Sequence, residues 1–296
     1  MISIRLRTRI ADSELNAKVG KIIGPRDYNL LLTGPARVLK PNGDPLCIYL
    51  PGEVRGLADT DVYDVLHGLR HQVTDNRGHA SGTQLLRTAA EKRTVRARPV
   101  PSAIIGAMDA AGRQRYCRLT AWTGKNLPHW QALHPLLRGI SERLKLHVPD
   151  RYAAQAAVAA AAPADWVVPG TVFSTVTVNN TYPTGVHQDA GDLPQGFSTI
   201  AVLRRGDYTG GHLVFPRWRV GVDLADGDLI LMDAHEWHGN TPIICACGNQ
   251  LSRPCATCPA ERISMVSYLR QRISDCGTPA EEFDKAEKAA VARSSK

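Results

Sequence analysis

The sequence has no uninterrupted apolar run of about 18 residues, the length that a membrane-spanning helix needs. It has no internal repeat. The basic residues 1–7 have no long apolar stretch behind them, so a secretory signal is not expected and the cytoplasm is the expected compartment. With 296 residues, 43% of them hydrophobic and 22% charged, the chain can form one large or two modest globular domains.

Cysteine usage gives no sign of a disulfide framework. The total is seven, and an odd number in a chain without a secretory signal argues against such a framework. Three are scattered, namely Cys47, Cys117 and Cys276. The other four are close together, namely Cys245, Cys247, Cys255 and Cys258. Two close pairs of thiols suit a tetrahedral structural zinc, and the alternative is four reduced cysteines in a polar loop.

Positive charge exceeds negative charge, with a formal net charge of +8. This excess favours a polyanionic partner such as nucleic acid, although a basic protein without that role is an equal alternative. Residues 74–98 are polar and basic without a clear period, which predicts a loop region. Its cations could follow a phosphate backbone or could simply be solvated. They are Arg87, Lys92, Arg93, Arg96 and Arg98.

Helices and one hairpin are predicted before residue 163. Asn42-Gly43 is typical of a hairpin turn, here between residues 36–39 and 46–49. Asp59 or Thr60 can cap a helix. Residues 116–122 are expected to be extended. Apolar residues at helical spacing predict a helix over 130–144, and an alanine-rich helix is expected over 151–162.

Beyond residue 171 the pattern changes to short apolar runs separated by Gly and Asp. These runs are 172–178, 199–203, 212–215, 220–224, 228–232 and 262–269. Short strands with regular turn signals predict a sandwich or barrel, and the preceding helices are expected to pack outside it. The predicted fold class is therefore α+β.

A metal site is predicted around His187 and Asp189. Residues two apart on an extended segment point the same way, so both side chains can reach one ion. A second histidine must come from a distant strand, and spacing alone does not separate His235 from His238. Two histidines and one carboxylate are the ligand set of non-haem Fe(II) oxygenases.

The last predicted strand carries polar residues on one face. Arg262, Ser264, Tyr268 and Arg270 share that face because side chains alternate along a strand. Arg262 and Ser264 could bind the far carboxylate of a dicarboxylic co-substrate. Tyr268 could stack on a planar ring, and Arg270 could form hydrogen bonds with it. The alternative is an edge strand whose polar face lies in water.

These segments resemble the TET and J-binding-protein family of 2-oxoglutarate/Fe(II) dioxygenases, especially its phage and lower-eukaryote members. The similar stretches cover about a third of the chain. They are residues 102–124 (SAIIGAMDAAGRQRYCRLTAWTG), 178–192 (VNNTYPTGVHQDAGD), 206–242 (GDYTGGHLVFPRWRVGVDLADGDLILMDAHEWHGNTP) and 261–270 (ERISMVSYLR). The resemblance implies a double-stranded β-helix, a jelly-roll barrel with flanking helices. Three regions are predicted: residues 1–98, with strands, a helix and a basic loop that pack on the core, the dioxygenase core 99–275 with supporting helices, and a charged tail 276–296.

The resemblance also assigns roles to residues. His187, Asp189 and His238 match the iron ligands, and His238 is preferred to His235 because Gly239-Asn240-Thr241 follows it. Arg262 and Ser264 match contacts to 2-oxoglutarate, and Arg118 is a further candidate contact. The candidate substrate contacts are Asp192, Asn240, Tyr268 and Arg270. Asp192 and Arg270 stand where animal members have Asn and His.

The implied activity is hydroxylation of the 5-methyl group of 5-methylcytosine or thymine in DNA, by way of a flipped-out base. An ionised Asp192 would accept a hydrogen bond from the amino group of cytosine, which favours 5-methylcytosine. Fe(II), 2-oxoglutarate and structural zinc are the expected cofactors. For a phage protein the cytoplasm would be that of the host cell. Two alternatives remain open: an oxygenase acting on a small molecule or protein side chain, and a non-catalytic β-barrel binding module.

Overall fold

A computed structural model describes the chain except for residues 8, 73, 75–76, 83, 89–90, 96–98, 112–113 and 295–296. Its helices are α1 (Asp12–Asn16), α2 (Thr60–Gly68), α3 (Ala121–Lys125), α4 (Leu127–Ala132), α5 (His134–His147), α6 (Pro149–Ala161) and α7 (Pro279–Ser294). Among the described helices, none combines the length and apolar character needed to cross a membrane.

The strands are β1 (Ile2–Arg5), β2 (Leu30–Leu32), β3 (Ala36–Leu39), β4 (Pro45–Leu50), β5 (Gln84–Thr88), β6 (Glu91–Val95), β7 (Ser102–Met108), β8 (Arg118–Leu119), β9 (Thr175–Asn180), β10 (Ser198–Arg205), β11 (Tyr208–Gly210), β12 (Leu213–Phe215), β13 (Val220–Val222), β14 (Leu229–Met232), β15 (Gly239–Asn240), β16 (Ile243–Cys245), β17 (Gln250–Leu251) and β18 (Glu261–Tyr268). The predicted α+β class is therefore confirmed.

The chain forms two compact units. The first comprises Met1–Ala103, Val178–Ala190 and Ile200–Met265, and the second comprises Ile104–Thr177, Gly191–Thr199 and Val266–Lys296. The three-region division at residues 98 and 275 stays a prediction.

The first unit is built on β-sheets. The largest sheet of the structure has nine strands in the order β1-β3-β4-β14-β10-β18-β9-β7-β8, and most of its strands belong to the first unit. A second sheet has the order β15-β12-β13-β2. The first unit also contains a small sheet of β11, β16 and β17 and the two-stranded sheet of β5 and β6. Strand β14 lies between β4 and β10, so all four of its residues are buried. This central position explains why residues 228–232 read as a continuous apolar run and not as an alternating one.

The second unit contains most of the helices. Helices α3 to α7 belong to it, together with β8 and parts of β7, β9, β10 and β18. The helical spacing predicted over 130–144 is confirmed by α4 and α5, whose buried face includes Trp130, Leu137 and Leu144. The alanine-rich segment is confirmed as α6.

Two local signals are confirmed in the first unit. Strands β3 and β4 pair in antiparallel fashion around Asn42-Gly43, where Gly43 has a φ of +94°. Asp59 caps α2, because its Oδ1 accepts a hydrogen bond from the backbone N–H of Val62 at 2.9 Å.

Two predictions about local structure are wrong. Residues 74–98 contain the antiparallel strands β5 and β6, in place of the predicted loop. Two paired strands satisfy each other's backbone groups, so they form without an apolar period. Of the predicted cations, Arg96 and Arg98 lie outside the described residues. The extended segment predicted over 116–122 shrinks to β8, because Thr120 caps α3.

The second unit also contains a disulfide, although the odd number of cysteines argued against a disulfide framework. Cys117 and Cys276 are 159 residues apart in sequence, and their Cα atoms lie 5.7 Å apart. That distance falls in the range that a disulfide requires. The pairing could not be predicted, because only the fold brings these two segments together.

Candidate active site

His187, Asp189 and His238 come together in the first unit. Their candidate ligand atoms all lie within 4.8 Å of one another. The Nε2 atom of His187 is 3.4 Å from Asp189 Oδ1, and the Nε2 atom of His238 is 3.9 Å from Asp189 Oδ2. Reciprocal backbone hydrogen bonds of 2.9 Å between His187 and His238 hold the two segments side by side.

Both histidines present the same ring nitrogen to Asp189. The Nδ1–H of His187 donates to the carbonyl of Gly185 at 2.7 Å, and that of His238 donates to the carbonyl of Glu236 at 2.9 Å. A backbone acceptor at Nδ1 leaves Nε2 with a lone pair available for a metal. The short-range backbone therefore sets both the tautomer and the direction of each ring.

The protonation states also suit a metal. Burial, with the neighbouring His187, lowers the pKa of His238 to about 4. Burial raises the pKa of Asp189, but the neighbouring His187 and His238 outweigh this effect and hold that pKa below its usual range. Metal ligation requires neutral histidine and ionised carboxylate, so the protonation states of His238 and Asp189 suit a divalent iron ion.

The other histidine of this segment lies differently. His235 is about one-third exposed, and its Nδ1 atom is 3.5 Å from Asp233 Oδ1. Among the described residues, the group that could hold a metal ion with His187 and Asp189 includes His238 and not His235. The geometry thus separates the two histidines that spacing left equivalent.

Arg262 is buried on β18 in the same unit, with 3% of its surface exposed. Its backbone is held by Thr181, whose Oγ1 accepts from the Arg262 N–H at 3.1 Å. Within the described part of the chain, the buried Nε of Arg262 has no hydrogen-bond partner. Ser264, two residues further along β18, is also buried. A buried cation with an unused donor fits an anionic ligand.

Two residues near Arg262 were not identified from the sequence. The buried hydroxyl of Tyr208 has no hydrogen-bond partner among the described residues. His212 follows Gly211, and its Nδ1 atom lies 3.1 Å from Asp223 Oδ1. The Gly210-Gly211 pair was available as a signal, because adjacent glycines often mark a close approach of the backbone to a side chain or ligand.

The residues predicted to contact a base lie mainly in the second unit. Asp192 is buried, and its Oδ2 accepts a hydrogen bond from Ser198 Oγ at 2.7 Å. Asp192 and Arg270 also pair through their backbones. The guanidinium of Arg270 binds Asp109 through Nε and Nη2, each 2.8 Å from Oδ1. Sequence reasoning missed Asp109, which is only 2% exposed.

Tyr268 and Arg118 belong to the second unit as well. The Tyr268 ring is buried, and its hydroxyl oxygen is 3.2 Å from Thr177 Oγ1. Arg118 is half-buried at the wall of a cavity of about 390 Å³, with its guanidinium carbon 5.9 Å from the centre of the Tyr116 ring. Their roles as base and co-substrate contacts stay predictions.

Asn240 is buried in the first unit, where its side chain joins neighbouring segments. Its Oδ1 atom accepts from the N–H and the hydroxyl of Thr184, at 3.1 and 2.8 Å. Its amide nitrogen donates to the carbonyl of His212 at 3.4 Å. This arrangement gives Asn240 a positioning role, and its predicted substrate contact stays untested.

The four clustered cysteines also converge in the first unit. The sulfur atoms of Cys245, Cys247, Cys255 and Cys258 all lie within 4.8 Å of one another. The Cys245 and Cys255 sulfur atoms are 3.9 Å apart. A tetrahedral zinc with Zn–S bonds of about 2.3 Å separates its ligand sulfurs by about 3.8 Å. The four thiols therefore fit such an ion.

Residues 108–271 match the family model Tet_JBP, described as the oxygenase domain of the 2OGFeDO superfamily. The chain belongs to this family. It is 33% identical over 182 residues to the thymine dioxygenase JBP1 of Crithidia fasciculata, and the aligned region covers 61% of this chain and 21% of that protein. It is 29% identical over 259 residues to the bifunctional helicase and thymine dioxygenase JBP2 of Trypanosoma brucei brucei, and the aligned region covers 86% of this chain and 21% of that protein.

The fold is also found in solved structures. A structure of NgTET1 in complex with 5mC DNA superposes with a TM-score of 0.57 at 12% identity, covering 93% of this chain and 96% of that one. The chain thus has the double-stranded β-helix fold expected of this Tet_JBP family. It spans about a fifth of the length of the curated relatives described above.

Proposed function

We propose that this protein is a 2-oxoglutarate/Fe(II)-dependent dioxygenase that hydroxylates the 5-methyl group of a pyrimidine in DNA. The observation that carries the proposal is the convergence of His187, Asp189 and His238 in a member of the Tet_JBP family. Bound Fe(II) would supply the oxygen activation and hydroxylation of a C–H bond that define these oxygenases.

The protein's own residues would bind and orient the reactants. His187, Asp189 and His238 would hold the ion through two histidine nitrogens and one carboxylate. Arg262 and Ser264 would bind the far carboxylate of 2-oxoglutarate, because a buried guanidinium forms strong, charge-assisted hydrogen bonds with a carboxylate. This contact would orient the bound co-substrate.

The proposed substrate is a flipped-out base, because a methyl group inside a duplex cannot reach a buried metal site. Tyr268 would replace part of the lost base stacking, with about 1–3 kcal/mol per base as the usual scale. The carboxylate of Asp192 suits the amino group of cytosine, which supports 5-methylcytosine as the first candidate base. Thymine is the second candidate, because the curated relatives are named thymine dioxygenases.

The test is an incubation with Fe(II), 2-oxoglutarate and one of two DNAs, followed by mass spectrometry of the nucleosides. One DNA contains 5-methylcytosine, and in the other thymine is the only base with a 5-methyl group. We expect a hydroxymethyl product from one or both DNAs, with equivalent succinate. Succinate formed with another substrate, but no oxidised base in either DNA, would contradict the DNA proposal. Asp192→Ala should weaken the preference between the bases, and an unchanged preference would remove Asp192 from the base contacts.

Metal content gives a readout that does not depend on activity. His238→Ala should lose stoichiometric iron after anaerobic loading and desalting, whereas the matched variant His235→Ala should retain it. Equal iron retention in both variants would show that His238 is not a ligand.

We also propose a structural zinc at Cys245, Cys247, Cys255 and Cys258. The four sulfur positions support it, and a metal would stabilise a short polar loop that cannot fold by itself. Elemental analysis of active protein should find one zinc per chain. Active protein without zinc would contradict this part of the proposal.

A further inference from the structure

Tyr208 carries a buried hydroxyl group whose partner is missing from the described residues. Only 5% of the Tyr208 surface is exposed, and its buried hydroxyl oxygen forms no hydrogen bond with any residue that the structure describes. The Nε of Arg262, in the same unit, is also buried and has no hydrogen-bond partner among the described residues. Buried polar groups are nearly always paired, so two unpaired donors indicate a polar ligand that accepts from both.

Several contacts bring Tyr208 and Arg262 into one neighbourhood. Tyr208 is followed by Thr209, Gly210 and Gly211. A Cβ atom on Gly211 would lie 3.2 Å from the Cδ and Nε atoms of Arg262, so the backbone after Tyr208 packs directly on that side chain. The charge of Arg262 also acts on the phenol, although burial has the larger effect and raises the pKa of Tyr208. At neutral pH the hydroxyl is therefore protonated and able to donate.

We infer that Tyr208 is a further co-substrate-binding residue, which donates a hydrogen bond to the carboxylate that Arg262 binds, and that the four-cysteine loop holds Tyr208 in position. A dicarboxylate suits this pair, because a carboxylate accepts several hydrogen bonds while the guanidinium and the phenol can only donate here. This inference rests on the proposed 2-oxoglutarate and zinc sites.

The four-cysteine loop contacts the Tyr208 segment on both sides. Tyr208 pairs with Cys245 across β11 and β16, and the Ala246 N–H donates to the carbonyl of Asp207 at 3.1 Å. A Cβ atom on Gly206 would lie 2.7 Å from the backbone of Pro259, which follows Cys258 directly. The two ends of the loop thus meet the chain just before and at Tyr208.

Side-chain packing strengthens this connection. Tyr208, Cys245 and Ala260 belong to one small buried cluster, against which Cys255 and Cys258 pack. On the ring of Tyr208, the Arg204 guanidinium carbon lies 3.8 Å from the ring centre. A metal that joins the four sulfurs would therefore restrict the ring of Tyr208 as well as the loop.

The first test is the variant Tyr208→Phe, which removes one oxygen atom and keeps the ring. The protein is loaded with Mn(II) in place of Fe(II), and 2-oxoglutarate is titrated in by calorimetry. We expect the Kd to rise about tenfold, which corresponds to about 1.4 kcal/mol. In turnover with Fe(II), the KM for 2-oxoglutarate should rise similarly while kcat at saturation changes little. The control Tyr152→Phe, on α6 in the second unit, should leave both values unchanged.

Two failures can be told apart. If the wild-type protein binds no 2-oxoglutarate, the proposed function is wrong. If the wild-type protein binds it and Tyr208→Phe binds it equally well, only the inference about Tyr208 is wrong.

The second test addresses the loop. Cys258→Ser should lose zinc and raise the Kd for 2-oxoglutarate, whereas Cys47→Ala, which removes a thiol outside the loop, should do neither. Tyr208→Phe should raise the Kd by a smaller factor in the Cys258→Ser background than in the wild-type protein. The reason is that both substitutions disturb the same contact. A zinc-free Cys258→Ser protein with wild-type affinity would overturn the positioning role. If that variant does not fold, Tyr208→Phe decides the inference alone.

Discussion

Single residues in this protein are held by partners that are distant in sequence. Asp109 is the clearest case, because its Oδ1 accepts from Nε and Nη2 of Arg270, both at a distance of 2.8 Å. The two residues are 161 positions apart in sequence. Its other oxygen accepts from the Arg272 N–H at 3.3 Å. Asp109 is 2% exposed, so the ion pair is buried and the removal of one partner leaves an uncompensated charge.

Asp109→Ala should therefore destabilise the protein by about 3–5 kcal/mol, the usual cost of breaking a buried ion pair from one side. Urea unfolding followed by circular dichroism measures this change. The exposed Asp284→Ala on α7 is the control and should change stability by no more than about 0.5 kcal/mol. Equal stability of the two variants would show that Arg270 does not depend on Asp109.

At the scale of elements, the short strand β11 passes unusually close to its neighbours. Gly210 ends this strand with a φ of +75°, and a Cβ atom there would lie 2.0 Å from the carbonyl oxygen of Pro242. Gly248 has a similar φ of +78°, but a Cβ atom on it would meet nothing within 4 Å. A side chain at either glycine would strain the backbone, but only a side chain at Gly210 would also clash with a neighbouring segment.

Gly248→Ala should cost about 1–2 kcal/mol, the usual penalty for a side chain in the left-handed region. Gly210→Ala should cost at least about 2 kcal/mol more, because β11 must also move away from Pro242. The free energies of unfolding in urea give the comparison. A Gly210→Ala variant as stable as Gly248→Ala would mean that this close approach is easily relieved.

At the scale of the whole molecule, the charge balance bears on the proposed substrate. The net charge is +8, and a basic protein that binds DNA through its phosphates releases counterions on binding. The affinity should then depend strongly on salt, whatever base occupies the active site.

For duplex DNA, we expect log K to fall with log [salt] at a slope of about −4, which weakens binding on the order of 10²-fold between about 50 and 200 mM salt. Fluorescence anisotropy with labelled DNA measures the slope. DNA that lacks the methylated base should give the same slope, since phosphate contacts carry no sequence information. Binding that is insensitive to salt would favour the small-molecule or protein-side-chain alternative.

Features that depend on neighbouring residues could be predicted from the sequence. The hairpin at Asn42-Gly43, the cap at Asp59 and the alternation along β18 each follow from local backbone preferences. The His-x-Asp pair belongs to the same class, because two extended residues place both side chains on one side. The resemblance to the TET and J-binding proteins extended this local information to a fold, which the Tet_JBP match and the superposition confirm.

Only the tertiary structure decided which distant residues meet. It paired Asp109 with Arg270 and placed Tyr208 near Arg262, with no hydrogen-bond partner for the Tyr208 hydroxyl among the described residues. It also brought His238, which the resemblance had preferred to His235, close to Asp189. It also joined Cys117 to Cys276. These contacts depend on how strands pair and how segments pack across long stretches of chain, and a shift of one residue in a strand would turn each side chain to the opposite face. Local patterns do not contain that register, so the sequence determined the types of residue in the site and the fold determined their arrangement.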